Sequence, residues 1–317
     1  MLESRLAARI HDKKAALDRL RPVPRAAVNR LNEQLMAEWI YNSNAIEGST
    51  LSLQETKLIL ETGLTIGGKS LREHFEVINH REAIHYVERL VRDQEPLSAF
   101  QVRQIHTLVM ARIHDEEAGT YRQLPVRIAG SDHEPPPAWQ VSQRMDGWEQ
   151  WVNQNQIQLH RVHLAAEAHH RLVAIHPFLD GNGRTARLVM NLLLLQDGYP
   201  PTIIQRINRR QYYRVLARAD NHDPAPLVNF VGRAVERSLT LYLEACTPQT
   251  QPPPEDAQWI PLREAAVGTP YSQEYLSLLA RKGRLEAIKR GRNWVTTRQA
   301  VEAYRQSVAG ADNRRTE

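Results

Sequence analysis

Apolar positions recur at helical spacing through most of residues 30–246, and the polar positions between them carry recognisable caps. In Ser52-Leu-Gln-Glu-Thr-Lys-Leu-Ile-Leu60 a serine cap precedes Glu55 at the third helical position, with apolar residues three and four apart, and a helix is predicted. The same spacing predicts helices over 71–91, from a Ser98 cap to about Ile113, over 162–175, and over 184–196, where Asp197-Gly198 ends the run. One stretch breaks the period. In 120–131, Val126 and Ile128 alternate around Arg127 before Gly130, predicting a short strand or hairpin, then the loop His133-Glu-Pro-Pro-Pro137. Thr247-Pro-Gln-Thr-Gln-Pro-Pro-Pro254 has no apolar period and clusters proline, as a semi-rigid linker does. Beyond it the pattern reads helix, turn and helix, with Ser272 as a cap and Gly283 as a stop. A hairpin around Gly291 and a last helix over 297–307 follow. The predicted division is an N-terminal helical extension (1–29), an all-α main domain (30–246), a linker (247–256), a small domain (257–307) and a disordered tail (308–317). No internal repeat is visible.

Composition narrows the class. With 317 residues, about two domains fit, and 42% hydrophobic residues exclude general disorder. A single cysteine, Cys246, excludes a disulfide scaffold and a Cys-rich zinc module and fits a reducing compartment. Glu3, Arg5, Arg9, Asp12, Lys13, Lys14, Asp18 and Arg19 leave no room for a signal-peptide apolar core. The most apolar stretch, 188–195, is interrupted by Asn191 and too short to span a bilayer, so a cytoplasmic protein without a membrane partner is expected. A net charge of +5 says little about nucleic acid, but residues 281–298 hold seven basic residues against one acidic.

Candidate chemistry concentrates in residues 175–195. Pro177 disfavours helical geometry at His176, Gly181-Asn182-Gly183 is a permissive turn, and a helix follows. A glycine-rich turn opening a helix presents unpaired N–H groups and a positive dipole end, which is an anion site. Arg184 and Arg187, three apart, can both lean over that end, and paired guanidinium forks suit a polyphosphate. Asp180 is a hard oxygen ligand placed where Mg²⁺ would bridge phosphate oxygens, and His176 suits a general base near neutral pH. The residues together point to a Mg-nucleoside polyphosphate beside a nucleophile that is to be deprotonated.

His176-Pro-Phe-x-Asp-Gly-Asn-Gly-Arg-x-x-Arg187 resembles the signature of the Fic family at every fixed position. The resemblance, spanning roughly residues 30–245, implies a helical Fic bundle with a short β-hairpin flap. Most members transfer AMP from ATP to a Ser, Thr or Tyr hydroxyl of a target protein. By position, it implies His176 as the base, Asp180 as the Mg²⁺ ligand, and Gly181, Asn182, Gly183, Arg184 and Arg187 as the phosphate contacts. Residues 120–141 resemble the flap, with Val126, Arg127, Ile128 and Gly130 positioning the target backbone by strand addition. Tyr212-Tyr213 resembles the segment lining the adenine site, and Asp220 stands where relatives often have Asn. Ser43-Asn-Ala-Ile-Glu-Gly48 fits the family's inhibitory pattern. The resemblance thus implies Ser43 and Glu47 on an intrinsic N-terminal inhibitory helix, with Glu47 paired to Arg187 in place of the γ-phosphate.

Several signals carry other readings. Gly63-Leu-Thr-Ile-Gly-Gly-Lys-Ser70 satisfies the Walker A expression, but an amphipathic helix is predicted before it where a P-loop needs a buried strand. His160, His163, His169 and His170 lack metal-ligand spacing and read as helix surface and support for the motif loop, with His169 buried. Trp139, Trp148 and Trp151 read as packing for the flap base and the next helix. Residues 257–307 resemble a winged helix-turn-helix of the MerR/excisionase type, whose basic hairpin would serve DNA, a protein partner or a homodimer. The expected activity is an autoinhibited protein adenylyltransferase, with auto-modification. The same site removing AMP, and a DNA-binding regulator that senses ATP, are the alternatives.

Overall fold

The computed structural model describes residues 1–22, 25–128, 130–246, 259–281, 285–291 and 293–312. The chain forms two compact units, Met1–Thr247 and Pro248–Glu317. The predicted linker, with Lys282, Gly283, Arg284 and Arg292 of the basic stretch, lies outside the described residues.

The first unit holds ten α-helices among its described residues: α1 (Ser4–Arg19), α2 (Arg25–Ile46), α3 (Leu53–Thr62), α4 (Leu71–Arg92), α5 (Ala99–Met110), α6 (Val141–Asn155), α7 (Arg161–Ile175), α8 (Asn182–Gln196), α9 (Arg209–Asp220) and α10 (Ala225–Cys246). α8 is the axis. Leu188, Val189, Met190, Leu192, Leu193 and Leu194 are all buried, so the helix is apolar on every side and packs on α7, α4 and α5. Asn191, the polar interruption, is satisfied by the Thr202 backbone, giving its amide to the carbonyl (2.9 Å) and accepting the N–H (2.6 Å). The apolar run is therefore a core helix; no helix among the described residues is long and apolar enough to cross a membrane. α1 packs along α10 through Leu6, Ile10 and Leu17, with Arg9 and Lys13 on Glu236.

α3 and α4 both open on full capping boxes, Ser52 with Glu55 and Ser70 with Glu73. Gly63, at φ +70°, caps α3, so the Walker-like stretch is a loop between two helices. α5 stops at Met110, short of Ile113, because Ala111 turns extended (φ −51°, ψ 135°). The alternating segment takes the hairpin form of the expectation: it is an open hairpin whose turn is closed by Ser131 N–H to the Ile128 carbonyl (3.2 Å), and none of its described residues joins a ladder. The return arm carries Pro135, Pro136 and Pro137, which have no N–H to donate.

The second unit has β1 (Ile260–Pro261), α11 (Leu262–Ala265), α12 (Gln273–Arg281), β2 (Ala287–Arg290), β3 (Asn293–Thr296) and α13 (Arg298–Asp312). Its sheet is antiparallel in the order β1-β3-β2, with Ile260 opposite Thr296 and Ile288 opposite Val295. Leu262, Leu276, Leu279, Leu285 and Val301 form a separate core. α13 runs past Ser307 to Asp312, so the helix continues into the stretch expected to be a disordered tail.

Candidate active site

The site is built where α7 ends and α8 begins. His176 terminates α7 in the left-handed region (φ 49°, ψ 60°), an uncommon geometry for a non-glycine residue, and Pro177 disfavours continuing the helix through it. Its Nδ1 lies 3.2 Å from the Val173 carbonyl, which can only accept, so Nδ1 carries the proton and Nε2 keeps the lone pair. Burial holds its pKa below the ordinary histidine value against the opposing Val173 hydrogen bond, so the ring is neutral near pH 7. Arg122 staples this turn to the base of the flap. Its guanidinium donates to the His176 carbonyl (2.8 Å), Leu124 (3.0 Å) and Pro136 (2.5 Å), while its N–H donates to Pro177 (2.9 Å).

The turn itself is closed by Asn182, which accepts from Phe178 N–H (3.0 Å) and donates to the Phe178 carbonyl (2.8 Å). Phe178 is buried and stacks on His106 at 3.6 Å. His106 accepts Gly119 N–H at Nδ1 (2.9 Å) and donates from Nε2 to the Asp180 carbonyl (2.9 Å); burial pushes its pKa down to about 4. Gly181 sits at φ +76°, and a Cβ there would fall 2.8 Å from Met110 Sδ, so a side chain is refused twice. Thr185 N–H bonds the Gly181 carbonyl (2.9 Å), and the N–H groups ahead of it stand outside the helical ladder.

The two arginines part rather than lean together. Arg184 is buried, with Nη1 3.3 Å from Glu76 and Nη2 3.4 Å from Asp180. Arg187 turns to the end of α2, donating from Nε to Ser43 Oγ (3.0 Å) and from Nη2 to the Ser43 carbonyl (2.9 Å) and Glu47 Oε1 (2.7 Å). Ser43 lies on α2 but Glu47 follows its last residue, in the turn that Gly48 closes at φ +108°. The four-residue spacing still brings both side chains to Arg187. Burial disfavours the charge on Arg187, but Glu47 and Tyr212 together push the guanidinium further up. A Cβ on Gly183 would lie 2.3 Å from Glu47 Oε1 and 3.1 Å from Arg187 Nη1. The slot over Gly183 therefore holds an anionic oxygen, and it has room for one only because residue 183 is glycine.

A cavity of about 300 Å³ joins these groups: His176, Gly183, Arg187, Glu47, Tyr212 and Tyr213, with Arg127 and Ile128 from the flap. Gly130 instead lines a neighbouring cleft of about 1110 Å³ that shares Arg209 and Tyr213, and Val126 lines neither. Tyr212 is almost wholly buried and bonds His169 Nε2 (2.8 Å), while Tyr213 lies under the Arg209 guanidinium at 4.7 Å. The tyrosine pair is thus one wall and its backing. Asp220 is engaged by His170 Nε2 (2.8 Å).

Asp180 keeps Oδ1 inward on Gly181 N–H (2.6 Å) and Oδ2 on Arg72 Nη2 (2.5 Å). Burial works against its ionisation, but Arg184, the Gly181 N–H and Arg72 together hold the carboxyl below the usual range. An ionised oxygen that already attracts a cation suits Mg²⁺, which takes one or two carboxylates and completes its shell from phosphate and water. Among the described residues no group of three His, Cys, Asp or Glu could hold a metal ion by itself. His160 caps α7 and His163 pairs with Glu167, so the histidine cluster is structural. Trp148 is buried with its Nε1 on the Ala168 carbonyl, whereas Trp139 is 78% exposed and does not pack the flap base as expected. Arg72, Glu76, His106 and Arg122 are site residues that spacing along the chain did not reveal.

The sequence profile of the Fic/DOC family matches residues 96–194. The chain is 38% identical over 250 residues to Protein adenylyltransferase Fic of Nematostella vectensis, covering 78% of this chain and 57% of that protein. It is 39% identical over 259 residues to the Aedes aegypti protein of the same name, covering 81% and 51%. It thus spans about half the length of the curated relatives it matches. Among solved structures, Fic-1 (residues 134–508) of C. elegans is similar at a TM-score of 0.69 and 33% identity, over 76% of this chain and 71% of that one. A Fic family protein of Desulfovibrio desulfuricans G20 is similar at a TM-score of 0.63 and 25% identity, over 92% and 94%.

Proposed function

The chain belongs to the Fic/DOC family, and on that premise we propose that it is an autoinhibited protein adenylyltransferase acting from Mg-ATP on a hydroxyl of a target protein. The observation that carries this reading is the single cavity in which the His176 base, the Gly183 slot and the Glu47–Arg187 pair meet. The triphosphate is received by the opening turn of α8, with Arg187 on its outer end once Glu47 has withdrawn. Asp180 would hold Mg²⁺, which would supply positive charge against the charge that develops on the phosphates during transfer. His176 Nε2 takes the proton of the acceptor hydroxyl as its oxygen attacks the α-phosphorus. The bond to the β-phosphate oxygen breaks, and pyrophosphate leaves. The extended backbone of the open flap over residues 126–128 receives the acceptor segment as an added strand.

Glu47 opposes this by occupying Arg187 and the space over Gly183. Its side chain is 34% exposed against 3% for Arg187, so the pair is screened from one side and is weaker than a fully buried one. That is weak enough for a brake that can be released. The position of Glu47 in the same cavity as His176 also favours a second reading, in which it orients a water for removal of AMP from a modified target. For residues 257–307, a helix, turn and helix beside a hairpin support a winged helix-turn-helix that recruits DNA or protein.

Transfer chemistry is tested by incubating the Glu47→Gly protein with ATP labelled at either the α- or the γ-phosphate. Label on protein from the α position alone is expected; label from the γ position would replace nucleotidyl with phosphoryl transfer.

A further inference from the structure

Asp180 and its cations form a closed ring of charge. Arg72, in the first turn of α4, places Nη2 2.5 Å from Asp180 Oδ2 and Nε 3.3 Å from Glu76 Oε1. Glu76 in turn lies 3.3 Å from Arg184 Nη1, and Arg184 Nη2 returns to Asp180 Oδ1 at 3.4 Å. The two oxygens of Asp180 are not equivalent. Oδ1 faces the buried Arg184 and the Gly181 N–H, so it is fixed by the loop. Oδ2 is the oxygen left for an outside ligand, and it is held by a guanidinium whose side chain is 49% exposed.

We infer that Arg72 is a built-in counterion occupying, on Asp180 Oδ2, the position a divalent metal ion must take, so that metal-nucleotide binding requires Arg72 to move off the carboxylate. This rests on the nucleotide-binding reading above. A guanidinium and a Mg²⁺ that compete for the one outward-facing oxygen of Asp180 repel each other at that range. Arg72 is a positioning residue. In the empty site it keeps Asp180 ionised and aimed, and because exposed ion pairs are weak it can be displaced. Glu76, already between Arg72 and Arg184, gives the released guanidinium a second anchor, so Arg72 stays near the phosphates after the exchange. The cost of the exchange is a higher metal requirement.

The test uses the full chain in the Glu47→Gly background with the α,β-methylene analogue of ATP, which binds but cannot transfer AMP. Analogue binding at a fixed concentration is followed by calorimetry as Mg²⁺ is raised. Arg72→Gln should lower the Mg²⁺ midpoint by about three- to tenfold, the range expected for releasing a weak ion pair and removing a nearby positive charge. Arg72→Lys, which keeps the charge, should stay within about twofold of the parent, and adding Arg72→Gln to Asp180→Asn should no longer move the midpoint. An unchanged or raised midpoint in Arg72→Gln, or a shift that persists without the Asp180 carboxylate, overturns the inference while nucleotide binding stands. If the parent protein does not bind the analogue at any Mg²⁺ concentration, the nucleotide reading falls and the inference falls with it.

Discussion

His176 meets two demands on a general base at once. The Val173 carbonyl fixes the proton on Nδ1, and burial lowers the ring's proton affinity so that Nε2 is free to accept. A base whose pKa lies below 6.5 stays unprotonated further into acid, so the acid limb of AMP transfer should fall below pH 6.5. A pH series with the Glu47→Gly protein measures it; a limb at or above pH 6.5 would mean that the ring is solvated or paired in the working enzyme. Gly183 shows the same economy. Its missing Cβ is the space into which Glu47 reaches, the same space that the proposed nucleotide would need for a phosphate oxygen. These residues were legible in the sequence because local rules fix them: Pro177 constrains His176, glycine permits the turn, and α8 starts where the turn ends.

Elements bring in what spacing cannot. Arg72 reaches Asp180 across 108 residues of sequence, His106 reaches it across 74, and Arg122 reaches His176 across 54. None of the three carries a local signature, because each is an ordinary polar residue until α4, α5 and the flap base are packed against the loop. The alternation of Val126 and Ile128 anticipated the hairpin, though not its lack of a ladder among the described residues. It reports an extended backbone, but a strand also needs a partner, and the Pro135–Pro137 arm has no N–H groups with which to build one. What results is an open edge held at its root by Arg122, a better arrangement for pairing with another chain than a closed hairpin. The inhibitory segment differs in the opposite sense: the pattern anticipated a helix carrying both Ser43 and Glu47, whereas α2 ends at Ile46. Glu47 therefore lies past the last helical turn, in the turn that Gly48 closes, and not on the helix itself.

At the scale of the larger unit, the buried histidines that support the site tie its stability to pH. His106 and His169 are held neutral by burial, with pKa values of about 4 and about 3 against 6.5 when exposed. Below pH 6.5 the unfolded chain therefore binds protons that the folded one does not, and stability falls with pH. Between pH 6.5 and 5, before carboxylates dominate, each ring should account for a loss of about 2 kcal/mol. Chemical denaturation across that interval checks it; a flat profile would mean that the rings take up protons without unfolding.

In the proposed reading one cavity joins a base, a nucleotide slot and a removable brake. The most direct test of that reading is the intact mass, after incubation with Mg-ATP, of three proteins: the natural sequence, Glu47→Gly, and Glu47→Gly combined with His176→Ala. A gain of one AMP unit is expected on Glu47→Gly, little on the natural sequence and none on the double variant. AMP on the double variant would remove His176 from the chemistry. Equal gain on the first two would show that the Glu47–Arg187 pair restrains nothing.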